Sequence, residues 1–501
     1  MSVNSIGSSS ALMVRSLVDM RAQLDDLQRQ LGTGKKSATY AGIGLNRGLT
    51  VGLRAQLSAI GGYGDTIGTV GTRISLAQIS LGRMSNIGHG MKSTILNSAY
   101  DPDSNGQTTV SKTAQAELDE LLGLLNGQVG DHYLFSGRSS GTSAVETTDH
   151  VLNGDGARAG LKQLITERNQ ADLGAGGLGR LDVTAPTATS VLIAEDAVSP
   201  FGFKLASVGS TLTNAVVTGP VGTPAAITVN LTAGNPSAGD SIKFQFTLPD
   251  GSSENVTLTA TTASPPGANQ FTIGGSAAAT TTNLQAALTT AVGKLATSSL
   301  AAASALAASN DFFNIDGANP PQRVGGPPFD TATALIDGTA SNTVSWYIGE
   351  AGSDPARSTV AGRIDQSLTV AYGVRANEEG IRWVVQNVAA LAATTFLPSD
   401  PDAAARNSAL NQRMMIALDV PPGIQKIQTI QAELAGAQTS LAAAKDRHQQ
   451  FTSTLSDLLQ SIEGIPLEQV GAQILALQTS LQASLQTTAM LYQTSLINYL
   501  R

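Results

Sequence analysis

Two segments far apart in this chain carry apolar residues at every seventh position, and that period restricts the fold more than any other feature. Ile60, Ile67, Ile74, Leu81 and Ile95 stand on one seven-residue grid, with Gly88 as its gap. Tyr63, Val70, Ala77, Met84 and Met91 fill the grid three residues later. Ile427, Leu434, Leu441, His448, Leu455 and Ile462 repeat the interval, and Ile430, Ala437, Ala444, Phe451 and Leu458 supply its second position. Seams sustained this far predict long helices laid side by side. Ile60, Ile67, Ile74, Leu81, Leu434, Leu441, Phe451 and Leu455 are expected to form an intramolecular rod. Glycines 61, 62, 64, 68, 71 and 82 weaken the first of these helices by roughly 1 kcal/mol each relative to Ala, so it needs neighbours. A shorter seam of Met13, Leu17, Met20, Leu24, Leu27 and Leu31 predicts a helix capped by Ser10 and ended by "GTGKK" (32–36).

After "GIP" (464–466), the stretch from Gln469 to Leu500 has no charged residue, yet Gln, Ser, Thr and Asn run all through it. Leu467, Val470, Ile474, Leu477 and Leu481 restart the seam; Leu485, Tyr492, Leu496 and Tyr499 widen it. An uncharged polar helix gains little by folding alone. It suits a packed assembly in which every face meets protein, because a charge there would be desolvated while Gln, Ser and Thr bond across helices. Self-assembly with further copies of the chain is therefore expected through Leu17, Leu24, Leu31, Ile474, Leu477, Leu481, Leu485, Tyr492 and Leu496.

The middle differs. From about 141 to 345 it is rich in Gly, Thr, Ser, Ala and Pro. "SIKFQFTL" (241–248) and "ENVTLTA" (254–260) alternate apolar and polar residues about a "PDGS" turn, which is a hairpin pattern. Residues 283–309 read as one helix, 111–128 and 378–393 as two more, and "NTVSWYIG" (342–349) and "SLTVAYGV" (367–374) as strands. The expected fold class is mainly α at both termini, as paired long helices in a coiled-coil-like rod, with an inserted α+β or mainly β middle domain. The expected segments are 1–140 and 396–501 for the rod, 141–345 for the outer insertion and 346–395 for its return. Because the seams lie outside 141–345, removing that span is expected to spare assembly.

No chemistry of catalysis is legible. The histidines, His89, His132, His150 and His448, have no His or carboxylate at metal-ligand spacing, and His448 reads as a partly buried seam residue. "GTGKK" lacks the P-loop spacing, "GIGLNRG" (42–48) lacks the dinucleotide spacing, and "DPDSNG" (101–106) has no closing Glu for calcium. No enzyme, cofactor or metal site is expected. A net charge of −8 without a basic stripe argues against nucleic acid. The absence of Cys excludes disulfides. The N-terminal stretch has neither the basic nor the apolar region of a Sec signal, and no run approaches the roughly 18 apolar residues of a membrane span. Neither membrane insertion nor a Sec signal peptide is expected.

Several stretches resemble one family. "LDDLQRQLGTGKK" (24–36), "VGLRAQLSAIGGYGDTIGTVGTRISLAQISLGRMSNI" (51–87), "DHYLFSGR" (131–138) and "TSLINYL" (494–500) are similar to segments of the flagellin superfamily, which includes filament flagellins and the junction protein called hook-associated protein 3. "YIGE" (347–350) and "LTVAYGVRANEEGI" (368–381) are similar to the outer-domain pattern of the junction type. The resemblance implies a structural subunit of the bacterial flagellum, serving motility. It implies export unfolded by the flagellar type III apparatus to an extracellular location, with an export chaperone and neighbouring flagellar axial proteins as partners. It also implies terminal helices that are disordered in the monomer and form concentric tubes on assembly. "MSNIGHGMKSTIL" (84–96) departs from the filament segment that the innate immune receptor reads. A different class of function is a flagellin-like cell-surface adhesin or polysaccharide-binding protein, whose feature would be exposed Tyr, Trp and Asn on 241–260 and 342–374.

Overall fold

A computed structural model describes residues 3–316 and 319–499; the side chains of 3–10, 491, 492 and 494–499 lie outside that description. The chain is α at both ends with a sheet-rich middle. It opens with α1 (Val3–Thr33), a 3-10 turn (Tyr40–Asn46), α2 (Arg47–Asn97) and α3 (Thr109–Leu125). A short hairpin of β1 (Gln128–Val129) and β2 (His132–Tyr133) precedes α4 (Thr148–Asn153) and α5 (Leu161–Leu173). Then come β3 (Leu181–Thr187), β4 (Ser190–Glu195), β5 (Lys204–Ser210), β6 (Val216–Val221), β7 (Ala226–Asn230), β8 (Ser241–Thr247), β9 (Ser253–Thr261) and β10 (Gln270–Thr272). Helices α6 (Ala277–Leu295) and α7 (Ala301–Phe313) follow, then the short strands β11 (Gln322–Val324), β12 (Leu335–Asp337), β13 (Ala361–Arg363) and β14 (Thr369–Ala371). The chain closes with α8 (Glu379–Ala393), α9 (Ala403–Ala417), α10 (Ile427–Glu463) and α11 (Leu467–Tyr499).

These elements divide into two compact units. One comprises Met1–Thr69, Arg363–Thr369 and Thr439–Arg501; the other comprises Val70–Gly362 and Val370–Gln438. The divisions fall inside α2 and α10, at positions that the seven-residue seams run through unbroken.

In the second unit, two four-stranded sheets, ordered β3-β4-β7-β6 and β10-β9-β8-β5, share one core with α6. The alternation read at 241–260 is what builds it. Ile242, Phe244 and Phe246 of β8 and Val256, Leu258 and Ala260 of β9 are buried with Leu284, Leu288 and Val292 of α6. The "PDGS" turn holds because Asp250 Oδ1 accepts from the Ser252 amide at 3.0 Å while Gly251 takes φ +80.

A helical layer completes this unit. α3 packs on α8, α5 on α7, and α7 on α8 and α9. Thr108 caps α3 in a reciprocal box with Ser111, at 3.2 and 2.8 Å, so the helix starts at Thr109 rather than at Ser111. It ends at Leu125, short of the expected 128, because Gln128 already pairs in β1. Val70–Asn97 of α2 buries Ile74, Leu81, Met84 and Met91; Ile427–Gln438 of α10 buries Ile427, Ile430 and Leu434. The two stretches run antiparallel. Gln438 Nε2 donates to Ser75 Oγ at 3.2 Å and Gln428 Nε2 to Ser85 Oγ at 3.0 Å.

Four expectations need correction here. Ser10 is no cap, since α1 already runs from Val3. The helix read at 283–309 is interrupted by a π turn at Ala296–Leu300, where Ser298 Oγ donates to Lys294 O at 2.6 Å. The extra residue turns the face, so α6 serves the sheets while α7 serves the helical layer. Residues 342–349 form isolated bridges rather than a strand, and only Thr369–Ala371 of 367–374 is extended in a ladder. Finally, Ala277–Phe313 is a helical run long and apolar enough by composition to cross a membrane, but it lies mostly buried as a core element.

Candidate functional site: the helical surface of the terminal unit

In the terminal unit, α1 and α11 pack on each other. Ala22, Gln23, Asp26 and Leu27 line a groove with Gln473, Ala476, Leu477 and Ser480, and the end of α1 is joined to the start of α11, so the helices run antiparallel. Two breaker motifs lock this arrangement. The Lys36 amide donates to Glu463 O at 2.8 Å, the Ile465 amide donates to Gly34 O at 3.2 Å, and Lys35 bridges Gly464. "GTGKK" and "GIP", each read only as a helix end, are therefore joined to each other.

Glu463 is the residue on which this clip turns. Its carboxylate is buried and accepts a two-pronged bond from Arg54, Nε at 3.0 Å and Nη2 at 2.7 Å. Lys35 Nζ lies 3.5 Å away. The Arg54 bonds hold its pKa below the usual carboxylate range; burial opposes that and the charges of Arg54 and Lys35 add to it. The sequence did not pair the two, because a single Glu at a helix end and an Arg on a helix have no pattern that joins them across 409 positions. Further along, Tyr63 and His448 stack with ring centroids 5.8 Å apart, and His448 Nε2 lies 3.6 Å from Asp365.

The expected rod residues differ in burial. Ile67, Ile74, Leu81, Leu434 and Leu441 are buried, and Ile60 and Leu455 are half-buried. Phe451 is not; it is 55% exposed. A straight α-helix drifts by about 20° per heptad against a strict seven-residue grid, and by Phe451 that seam position has turned outward.

The residues expected at a copy-to-copy face divide differently. Leu17, Leu24, Leu477 and Leu481 are half-buried and Ile474 is buried, so the seams of α1 and α11 are covered largely within their own chain. Leu31 and Leu485 are exposed, the latter at 52%. The side chains of Tyr492 and Leu496 lie outside the described residues. What remains open is the rest of each helix surface. Leu12, Val14 and Val18 of α1 and Leu475, Leu485 and Met490 of α11 are all exposed. On α11 they stand among Gln478, Thr479, Gln482 and Gln486, also exposed, with no charge between them. Sequence reasoning missed Leu12, Val14, Val18, Leu475 and Met490 because it followed the strict seam; a count of apolar residues off the seam would have found them.

The ends are helical in the structure, from Val3 and to Tyr499. Of the exposed Tyr, Trp and Asn expected of a saccharide-binding surface, Asn255 is exposed but the aromatic residues are not. Trp346, Tyr347 and Tyr372 are buried, and Trp346 donates to Phe313 O at 2.9 Å as part of the core. No protein-family model and no curated protein matches this chain, so the resemblance to flagellins rests on the quoted residues alone.

Proposed function

We propose that the chain is a structural subunit that assembles with copies of itself through the outward faces of α1 and α11, as a filament or junction component of a bacterial flagellum. One observation supports this most. Two long helices pack on each other and leave large aliphatic side chains exposed on both, on α11 among uncharged amides and hydroxyls. A surface helix of a free-standing protein gains solubility from charge; α11 has none after Glu468 in its first turn. Burial of the open face against another subunit would gain about 25 cal/mol per Å² of apolar area. The amides would bond across helices rather than face hydrocarbon.

On this reading the helical seams form a coiled-coil-like rod, and the sheet domain is an outer body that the assembly displays. Export without a Sec signal to the cell exterior, an export chaperone and contact with other axial proteins follow from the resemblance and belong to the same proposal. Electron microscopy of the purified protein after seeding tests it. Long tubes identify a filament subunit and short rings a junction subunit. A protein that stays monomeric at high concentration with seeds present overturns the reading.

A further inference from the structure

The second unit contains a cavity of about 340 Å³ that the assembly proposal does not use. Its wall carries Arg73 from α2, His132 and Tyr133 from β2, Arg138 and Ser140 from the loop after it, and Tyr372. None of the residues around it is acidic. Two arginines line this cavity, and one of them, Arg73, has no carboxylate partner among the described residues.

The two arginines are not equivalent. Gly137 takes φ +63, a left-handed turn that side-chain-bearing residues rarely adopt, just before Arg138. Arg138 is satisfied, with Nη1 on Glu350 at 2.9 Å and Nη2 on Asp354 at 2.7 Å. Arg73 has no carboxylate within ion-pair distance among the described residues. Its Nη1 donates to the Tyr372 hydroxyl at 3.1 Å, and its Nε is buried with no hydrogen-bond partner there. A half-buried guanidinium that is held by a neutral hydroxyl and keeps an N–H unused is costly without an anion. Opposite, His132 Nδ1 and Ser140 Oγ share a hydrogen bond of 2.9 Å, and the Tyr133 amide donates to Ser140 O at 2.8 Å, which fixes that wall.

We infer that this cavity binds a small oxyanion, a carboxylate or phosphate on a group no larger than a monosaccharide, with Arg73 as its main counter-charge. The planar fork of a guanidinium matches both anions through two parallel bonds. The volume lies at the low end of the range for small-molecule sites. Tyr372 positions Arg73, and the Tyr133 and Tyr372 hydroxyls with Ser140 supply neutral polar contacts.

Calorimetric titration of the full chain at low salt with inorganic phosphate, galacturonate and galactose tests this. At least one of the two anions binds wild type, galactose does not, and Arg73→Gln weakens binding by about tenfold or more. Binding by galacturonate alone identifies an acidic sugar as the source of the anion; binding by phosphate alone identifies free phosphate. Arg73→Lys keeps the charge but not the fork, so it binds more weakly than wild type, and Tyr372→Phe, which keeps the ring, gives an intermediate loss. The inference is overturned if neither anion binds, if both Arg73 variants bind as wild type does, or if galactose binds as well as galacturonate. Melting curves of the variants separate loss of the site from loss of the fold.

Discussion

Among single residues, Arg168 is the one whose loss the second unit should tolerate least. Its Nε donates to Asp172 at 2.9 Å and its Nη1 to Asp311 at 2.8 Å, and the guanidinium lies 5.1 Å from the centre of the Phe201 ring. Asp172 is fully buried and also accepts from the Gly202 amide at 2.8 Å. Arg168→Met leaves that carboxylate without its counter-charge, at a cost of about 3–5 kcal/mol, read as a lower midpoint in urea. Asp311 gives the pH dependence. Burial pushes its pKa up to about 6 from an ordinary 3.8, and Arg168 opposes the rise. A carboxyl with a raised folded pKa favours the neutral form, so its contribution to stability is fully present below 3.8 and is lost as pH rises through about 6. Asp311→Asn should therefore flatten the change in melting temperature between pH 7 and pH 5. An unchanged slope would show that Asp311 does not titrate there. None of this network was legible beforehand. Arg168 and Asp172 are a plain i, i+4 pair in sequence, and only the fold makes them core.

At the scale of elements, the sequence was most readable where one period ran long. The seams predicted α2, α10 and α11, and the alternation of Ile242, Phe244 and Phe246 predicted β8 and its hairpin, because burial repeats there at the period of the backbone itself. It was least readable where tertiary contacts decide. α9 was missed; its Arg413 is buried and bonded to Asp250 at 3.1 Å and Glu254 at 3.0 Å, a clamp with no local pattern. The seam also could not say whether α11 faces its own chain or another, since both partners offer the same apolar contact. The structure separates the two faces, and a paired substitution exploits that. Leu481 is half-buried within the chain, so Leu481→Asp should lower the melting temperature of the monomer, at roughly 1–3 kcal/mol for a partly buried carboxylate. A melting curve that matches wild type would mean the α1–α11 pair contributes nothing to the lone subunit.

At the scale of the whole molecule, the packing of α8 argues against the freedom expected of the middle. Removing 141–345 would delete α4 to α7, and α8 is buried along nearly its entire length, in contact with α5 and α7 as well as α3. Its Val385, Val388, Ala389 and Leu391 would meet water. The prediction is now the reverse of the sequence expectation: the deletion yields an aggregating protein, and a soluble, cooperatively melting product would contradict it. What the sequence did show of the candidate site was its character, a charge-free helix, and not its geometry.

The outward faces of α1 and α11 are the claim on which the functional reading stands. Leu485→Asp places a carboxylate on an exposed position of a helix that has no charge after Glu468. In the lone subunit it stays solvated and should cost little. In an assembly it is desolvated without a partner in every subunit, at several kcal/mol each. Sedimentation of seeded polymer, run beside a melting curve of the monomer, measures both halves. The expected result is no pellet from Leu485→Asp, a full pellet from wild type and from the control Lys243→Asp in β8, and the same melting temperature for the Leu485→Asp monomer as for wild type. A Leu485→Asp protein that pellets as wild type does, or whose monomer melts well below it, would contradict the account.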